Sequence, residues 1–201
     1  EKYHFDNFFW KQIISHPNYD EFWQKRNILP HLKGIDHAVM TVGGWFDAED
    51  LYGPLNIYKS IEAGNPKAEN TIVMGPWAHG GWAREQGKTT HNHIYFGDSI
   101  STHFQREVEH RFFNHHLKGA KEPALPEAYM FDTGTKEWKS FAKWPPEEIK
   151  PTSLYFGANG TLSLGTPVDE EAAFDYISDP AKPVPYTSQT EGLTFTPRRF
   201  M

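Results

Sequence analysis

The sequence has no cysteine, no long apolar run and no strong excess of one charge, and each absence excludes a class of protein. Without cysteine there is no disulfide, no thiol nucleophile and no cysteine-ligated zinc, although the compartment stays open. No stretch approaches the ~18 apolar residues that cross a bilayer, so we expect no membrane span. The net charge of −6, with acids and bases interspersed, argues against nucleic acid as a partner. Aromatic residues make up 15% of the 201 residues, which indicates a folded chain with a sizeable core.

Both ends of the chain lack the features of a natural terminus. The sequence begins at Glu1 without an initiator methionine, and its first residues have neither the basic nor the apolar segment of a signal peptide. It stops at Met201, shortly after a predicted strand and without a polar tail. We therefore expect the chain to be a piece of a longer protein.

The first half of the chain predicts a strand–helix–strand unit. Residues 38–42 form a short apolar run that ends at two glycines, and residues 71–74 form another that ends at Gly75. Between them, residues 52–63 carry an apolar stripe at helical spacing. Because a crossover helix joins parallel strands, both strands should end at the same edge of a sheet.

Helices are predicted on both sides of this unit. Aromatic and apolar residues at helical spacing predict two short helices before it, at 5–13 and 20–27. After it, apolar residues recur at every fourth position from Ile100 to Phe112 and predict a longer helix, which Asp98 or Ser99 could cap and Gly119 could end.

The residue pattern of the chain changes after this helix. Pro123 and Pro126 mark a linker, beyond which period-two runs predict strands at 128–131 and 138–141 and a hairpin at 154–164. We therefore expect an α/β part followed by an all-β part.

Two loops at the predicted carboxyl edge carry an acid and a histidine. Asp47 follows the first strand and His79 follows the second. Because ligands bind at the carboxyl ends of parallel strands, both side chains should meet at one site. An acid that holds the Nδ1–H of a histidine leaves Nε2 available as a general base, and the order of acid before histidine fits α/β-hydrolases. The alternative is a surface acid and a loop histidine that never meet.

The serine of such a triad is not found in this sequence. No serine lies in a G-x-S-x-G motif, and the nearest match, at Ser99, lacks the second glycine and a preceding strand. In the usual order the nucleophile precedes the acid. We therefore expect it upstream of Glu1, and we expect this chain alone to be inactive.

The residues around both candidates resemble those of the X-prolyl dipeptidyl peptidase and cocaine esterase superfamily of serine hydrolases. The matching segments are GGWFD at 43–47 and GPWAHG at 75–80. The Glu-Asp pair that follows Asp47 is similar to that of the α-amino acid ester hydrolases, also known as glutaryl-7-aminocephalosporanic-acid acylases. The resemblance implies that Asp47 is the triad acid and His79 the triad base. It also implies that Glu49 and Asp50 belong to an acidic cluster that binds the substrate's α-ammonium group.

The resemblance further implies a division of the chain. Residues 1–30 would be the end of a helical cap, residues 31–122 the C-terminal part of an α/β-hydrolase domain, and residues 123–201 the start of a jelly-roll β-sandwich. The implied substrate is a small molecule, an α-amino acid ester or a β-lactam amide, with no cofactor and no metal. A periplasmic or secreted protein that forms homo-oligomers is also implied.

Four of the residues near the pair have structural alternatives. Glu49 and Asp50 precede a predicted helix, where carboxylates favour the positive end of the helix dipole. With the family resemblance we favour the cluster. Trp45 and Trp77 could pack the loops, but their place beside the pair favours an apolar substrate pocket.

Two groups of histidines raise the question of a metal site. His91 and His93 form a His-x-His pattern, and His110, His115 and His116 share one predicted helix. No carboxylate completes a recognisable ligand set with either group, so we expect no metal centre.

The predicted function is acyl transfer from esters or amides of α-amino acids by a serine hydrolase. Two other functions stay open. One is an X-prolyl dipeptidyl peptidase or a cocaine esterase-like esterase, in which Glu49 and Asp50 would be ordinary surface acids. The other is a non-catalytic β-sandwich that binds carbohydrate or a protein partner.

Overall fold

The computed structural model describes residues 7–84, 87–91, 94–121, 125–157 and 161–167. In chain order the elements are helices α1 (Phe8–Ser15) and α2 (Glu21–Gln24), a 3₁₀ turn (Leu29–His31), strand β1 (Val39–Gly44), helix α3 (Tyr52–Gly64), strand β2 (Asn70–Gly75), helix α4 (Gly81–Arg84), strands β3 (Lys88–His91) and β4 (Ile94–Asp98), helix α5 (Ile100–His103), a π-helical segment (Phe104–Glu109), helix α6 (His110–Lys118), and strands β5 (Ala128–Asp132), β6 (Glu137–Phe141), β7 (Tyr155–Gly157) and β8 (Thr161–Ser163). No helix within these ranges is long and apolar enough to cross a membrane.

A four-stranded sheet with the order β1-β2-β5-β6 forms the centre of the fold. Strands β1 and β2 pair in parallel over their whole length, from Val39 opposite Asn70 to Gly44 opposite Gly75. The predicted strand–helix–strand unit is therefore confirmed. Both strands end at one edge of the sheet, as the crossover helix α3 requires.

Strand β2 is buried on both faces, which explains its uninterrupted apolar run. On one face Ile72 and Met74 pack against Tyr58 of α3. On the other face Val73 packs in a cluster with Phe104 and other residues of the helix that starts at Ile100. Successive strand residues point to opposite faces, so each face receives its own hydrophobic cluster.

The long predicted helix is present at 100–118, and its middle turn is wider than an α-helix. Ile100, Phe104 and Val108 are all buried. In an α-helix, apolar residues at every fourth position drift by about 40° per step, because four residues turn by about 400°. The π-helical segment at Phe104–Glu109 turns less per residue, so it keeps this row on the sheet. Gly119 ends the helix in the left-handed conformation, at φ 65°.

The strands at 128–141 belong to the α/β sheet and not to the predicted β-sandwich. They were expected in a separate β-sandwich, but β5 pairs in parallel with β2 from Ile72 opposite Ala128 to Met74 opposite Met130. Strand β6 then pairs with β5 in antiparallel fashion. Ala128 and Met130 join the cluster beneath α3, so burial holds this hairpin in the α/β sheet. The α/β sheet thus continues past residue 122.

The later hairpin is present as predicted. Strands β7 and β8 pair in antiparallel fashion from Tyr155 opposite Ser163 to Gly157 opposite Thr161. Its turn at 158–160 and the segment 168–201 lie outside the described residues. A jelly roll that starts in this part of the chain stays a prediction.

Candidate active site

Two loops at the carboxyl edge of the sheet bring an acid and a histidine together. The loop after β1 carries Asp47, and the loop after β2 carries His79. The Nδ1 atom of His79 lies 2.9 Å from Oδ2 of Asp47. The two residues therefore meet, as their places after neighbouring parallel strands predict.

The carboxylate of Asp47 is held by its own loop. Its other oxygen, Oδ1, accepts the backbone N–H groups of Glu49 at 2.8 Å and Asp50 at 3.0 Å. The Asp47 side chain is only 3% exposed. Burial raises the pKa of this carboxyl, but the two N–H groups and the His79 ring outweigh burial and hold the pKa below its ordinary value. Asp47 is thus a charged acceptor in a fixed orientation.

Backbone contacts hold the two loops in register. The N–H of Trp45 donates to the carbonyl of Gly75 at 2.8 Å, and the N–H of Phe46 donates to the carbonyl of Trp77 at 3.0 Å. A Cβ atom at Gly44 would lie 2.2 Å from the Trp77 carbonyl oxygen. Only glycine allows this close approach, so Gly44 is part of what places the acid next to the histidine.

The histidine loop is also held from its far side. Gly80 follows His79 with φ +67°, a conformation that favours glycine, and α4 begins at the next residue. The guanidinium of Arg84, on α4, donates to the carbonyl oxygen of His79. No motif in the sequence singled out Arg84, since its role depends on the turn of the loop.

The geometry leaves the outer nitrogen of His79 available for proton transfer. The His79 side chain is 52% exposed, whereas its partner carboxylate is buried. Within the described ranges, Nε2 of His79 has no hydrogen-bond partner. An imidazole that donates Nδ1–H to a carboxylate can accept a proton at Nε2, as the acid–histidine half of a catalytic triad does.

Comparison with known proteins gives this pair a family context. The profile of the X-Pro dipeptidyl-peptidase (S15 family) matches residues 1–81, which include Asp47 and His79. Cocaine esterase from Rhodococcus sp. (strain MB1 Bresler) is 26% identical over 187 residues, which are 87% of this chain and 31% of the esterase. The chain belongs to the X-Pro dipeptidyl peptidase and cocaine esterase superfamily.

Two solved structures of hydrolases extend the match beyond residue 81. An aminopeptidase from a marine sediment Thaumarchaeota archaeon superposes with a TM-score of 0.79 at 36% identity, covering 89% of this chain and 29% of the aminopeptidase. An α-amino acid ester hydrolase superposes with a TM-score of 0.76 at 29% identity, covering 95% of this chain and 32% of the hydrolase. The chain therefore spans about a third of the length of these relatives.

The acidic pair of this superfamily member lies at the start of α3. Glu49 and Asp50 are both exposed, and neither forms an ion pair within the described part of the chain. Oδ1 of Asp50 accepts the N–H of Gly53 at 2.8 Å, in the first turn of α3. The structural alternative therefore accounts for one oxygen of Asp50, whereas the Glu49 side chain forms no hydrogen bond or ion pair with the described residues.

Trp45 lines a cavity of about 420 Å³ beside the acid loop. Its indole N–H donates to the carbonyl of Phe131 at 2.9 Å, which directs the ring across the end of β2 toward β5. Lys139 and Asp132 form an ion pair at this cavity, and Lys139 lowers the pKa of Asp132 to about 2 together with N–H groups of the hairpin turn. Sequence reasoning missed the part of the wall that the β5–β6 hairpin and the segment after it contribute, namely Met130, Phe131, Asp132, Thr133, Lys139, Phe141 and Trp144.

The structure places Trp77 in the hydrophobic core. Its side chain is 0% exposed and packs in the core against Phe104, Trp82 and Trp138. The prediction of Trp77 as a substrate-binding residue is therefore not supported. The chain turns between Gly75 and His79, and this turn sends the indole inward, although Trp77 is only two residues from the histidine.

The two groups of histidines that suggested a metal site differ in what the structure shows of them. His93 lies outside the described residues, so the pattern with His91 stays untested. The helical histidines His110, His115 and His116 contact, in that order, Asn114, the Ala120 carbonyl and Glu69. Within the described ranges no group of three His, Cys, Asp or Glu side chains could hold a metal ion.

Proposed function

We propose that this chain supplies the acid and the base of the catalytic triad of a serine hydrolase. The observation that carries the proposal is the 2.9 Å contact between His79 and a buried Asp47 whose second oxygen accepts two backbone N–H groups. The nucleophilic serine would come from a part of the intact protein outside these 201 residues. Without that serine, the chain by itself would not turn over substrate.

In this mechanism His79 transfers the proton and Asp47 orients and stabilises the His79 ring. Nε2 of His79 takes the proton of the serine hydroxyl as the serine attacks an ester or amide carbonyl, and later gives that proton to the leaving group. Asp47 keeps the proton of the neutral ring on Nδ1 and stabilises the imidazolium that forms. The acyl-enzyme then passes its acyl group to water or to an amine.

The substrates we propose are esters or amides of α-amino acids, including β-lactam amides. Glu49 and Asp50 belong to the loop that carries Asp47, and neither side chain forms an ion pair with the described residues. A cation attracted to one of these carboxylates gains ~4 kcal/mol at 4 Å and an effective dielectric of 20, before desolvation costs. An α-ammonium group fits this charge. Two relatives, an aminopeptidase and an α-amino acid ester hydrolase, are named for substrates with a free amino group.

The second candidate is an esterase without selectivity for an amino group. It is favoured by the hydrogen bond from Gly53 to Asp50, which gives Asp50 a structural role in α3, and by the similarity to cocaine esterase. A periplasmic or secreted protein and a homo-oligomer belong to either proposal by resemblance to the family alone.

The two candidates differ in how the enzyme treats a blocked amino group. We would measure kcat/KM of the intact protein for D-phenylglycine methyl ester and for its N-acetyl derivative. Recognition of the ammonium group predicts a loss of ~30-fold or more on acetylation, which corresponds to ~2 kcal/mol. Glu49→Gln should shrink that preference. Asp50→Asn should shrink it too, while keeping an oxygen for the Gly53 N–H.

Asp36→Asn is the matched control, because Asp36 is exposed and precedes β1 at the opposite edge of the sheet. It should leave the preference unchanged. Equal rates for the two esters would support the esterase and exclude the amino-acid-ester reading. No turnover of either ester would contradict the proposed hydrolase for this class of acyl group.

A further inference from the structure

A second cleft opens between α2 and the start of α3. It has a volume of about 660 Å³ and is lined by Tyr19, Trp23, Arg26, Asn27 and Tyr52. Tyr19 and Tyr52 are 63% and 71% exposed as residues. Three aromatic rings and one cation thus surround an open space that no described side chain fills.

This cleft lies at the same edge of the sheet as the acid–histidine pair. Tyr52 is the first residue of α3, and α3 begins where the loop after β1 ends. Two hydrogen bonds lead from the pair to this point: Asp47 accepts the N–H of Asp50 at 3.0 Å, and Asp50 accepts the N–H of Gly53 at 2.8 Å. The loop that carries Asp47 thus leads directly to the wall of the cleft.

The cation of the cleft, Arg26, is oriented but not neutralised. Its guanidinium lies 3.5 Å from the centre of the Phe22 ring, and Nη1 donates to the Phe22 carbonyl at 2.7 Å. The acids nearest in sequence are engaged elsewhere, since Glu21 pairs with Lys25 at 2.6 Å and Asp20 pairs with His16 at 2.6 Å. Within the described ranges Arg26 forms no salt bridge.

We propose that this cleft binds the leaving group of the substrate, and that this leaving group is planar, apolar and carries a carboxylate that pairs with Arg26. The assignment rests on the proposed hydrolase. Aromatic walls bind a planar group through its faces, and the rigid fork of an arginine stacked on a ring matches a carboxylate.

The kinetic test compares two leaving groups on one acyl group. We would measure kcat/KM of the intact protein for the 3-carboxyphenyl and the 3-carbamoylphenyl esters of D-phenylglycine. Arg26→Gln should lower kcat/KM about tenfold for the carboxylate ester and less than twofold for the neutral ester. Comparing each ester between variants cancels the difference in intrinsic reactivity. Lys25→Gln removes a neighbouring charge outside the cleft and should leave both values within twofold.

An equal loss for both esters, or no loss for either, would overturn the proposal. If the intact protein hydrolyses neither ester, the proposed hydrolase is contradicted. A binding measurement then tests the proposed ligand of the cleft independently of hydrolysis. Calorimetric titration should give at least fivefold tighter binding for 3-hydroxybenzoate than for 3-hydroxybenzamide, and Arg26→Gln should abolish that difference. Equal affinities, or no binding of either compound, would overturn the site.

Discussion

The substitution Asp47→Asn tests the proposed triad most directly, because the structure decides which way the new amide must face. Oδ1 of Asp47 accepts two backbone N–H groups, so the amide oxygen of asparagine must take that position. The NH₂ group is then forced to the Oδ2 position, 2.9 Å from Nδ1 of His79. A donor at that place makes Nδ1 an acceptor and moves the ring proton to Nε2. The histidine becomes the wrong tautomer for a general base.

The expected effect is a loss of kcat of ~10⁴, which equals ~5.4 kcal/mol of transition-state stabilisation. The assay is hydrolysis of D-phenylglycine methyl ester by the intact protein, with the tautomer of His79 followed by ¹⁵N NMR. The NMR signal should show the proton on Nδ1 before the substitution and on Nε2 after it. Asp47→Ala is the comparison, since it also removes the acceptor of two N–H groups and should cost ~1–3 kcal/mol of folding stability for each N–H left unpaired.

A loss of activity below tenfold in Asp47→Asn, with the tautomer shifted as expected, would refute the role of Asp47 as triad acid. The pair would then be a structural contact between two loops. If the ring proton of His79 stays on Nδ1, the two backbone N–H groups do not fix the orientation of the new amide, and that part of the explanation is wrong.

Two further predictions concern stability. Because the pKa of Asp47 is lowered by folding, its charge contributes stability above the ordinary pKa of 3.8, and this contribution is lost as the pH falls through the folded value. The difference in unfolding free energy between the unsubstituted protein and Asp47→Asn, from urea titrations, should therefore shrink below about pH 4; a difference that grows there would contradict the shift. Gly44→Ala should cost ~1–3 kcal/mol by the same titration, because its Cβ would meet the Trp77 carbonyl at 2.2 Å. Gly165→Ala, which meets nothing within 4 Å, should change stability by less than ~0.5 kcal/mol, and equal effects at both glycines would contradict the steric explanation.

The acid–histidine pair could be predicted from sequence because short-range patterns determine it. The uninterrupted apolar runs of β1 and β2 indicate parallel strands covered by helices on both faces, and their glycine ends mark where the loops begin. Asp47 and His79 lie in those loops. Neither residue depends on a contact that is distant in sequence, other than the pairing of the two strands.

The walls of the substrate site could not be predicted in the same way. A period-two run such as residues 128–131 indicates a strand but does not tell which sheet the strand joins, and here it joined β2. Consequently the cavity beside Trp45, whose wall includes Lys139 and Trp144, could not be predicted from the sequence. Trp77 shows the converse, since an aromatic residue near a histidine suggests a pocket, while the turn of the backbone directs the ring into the core.

The register of β1 and β2 explains why the relative position of Asp47 and His79 is closely determined. Gly44 lies opposite Gly75, and from this level Asp47 is three residues further and His79 four residues further. Two loop segments of nearly equal length therefore bring the two side chains within hydrogen-bonding distance. Inserting a single residue into either loop would displace one partner by about 3.3 Å, enough to break a 2.9 Å hydrogen bond. The loops are thus constrained by the hydrogen bond they share, whereas Arg26 and Lys139, which line neighbouring cavities, form no hydrogen bond with the pair in the described part of the chain. Differences in substrate among relatives should therefore be sought at positions such as Arg26 and Lys139.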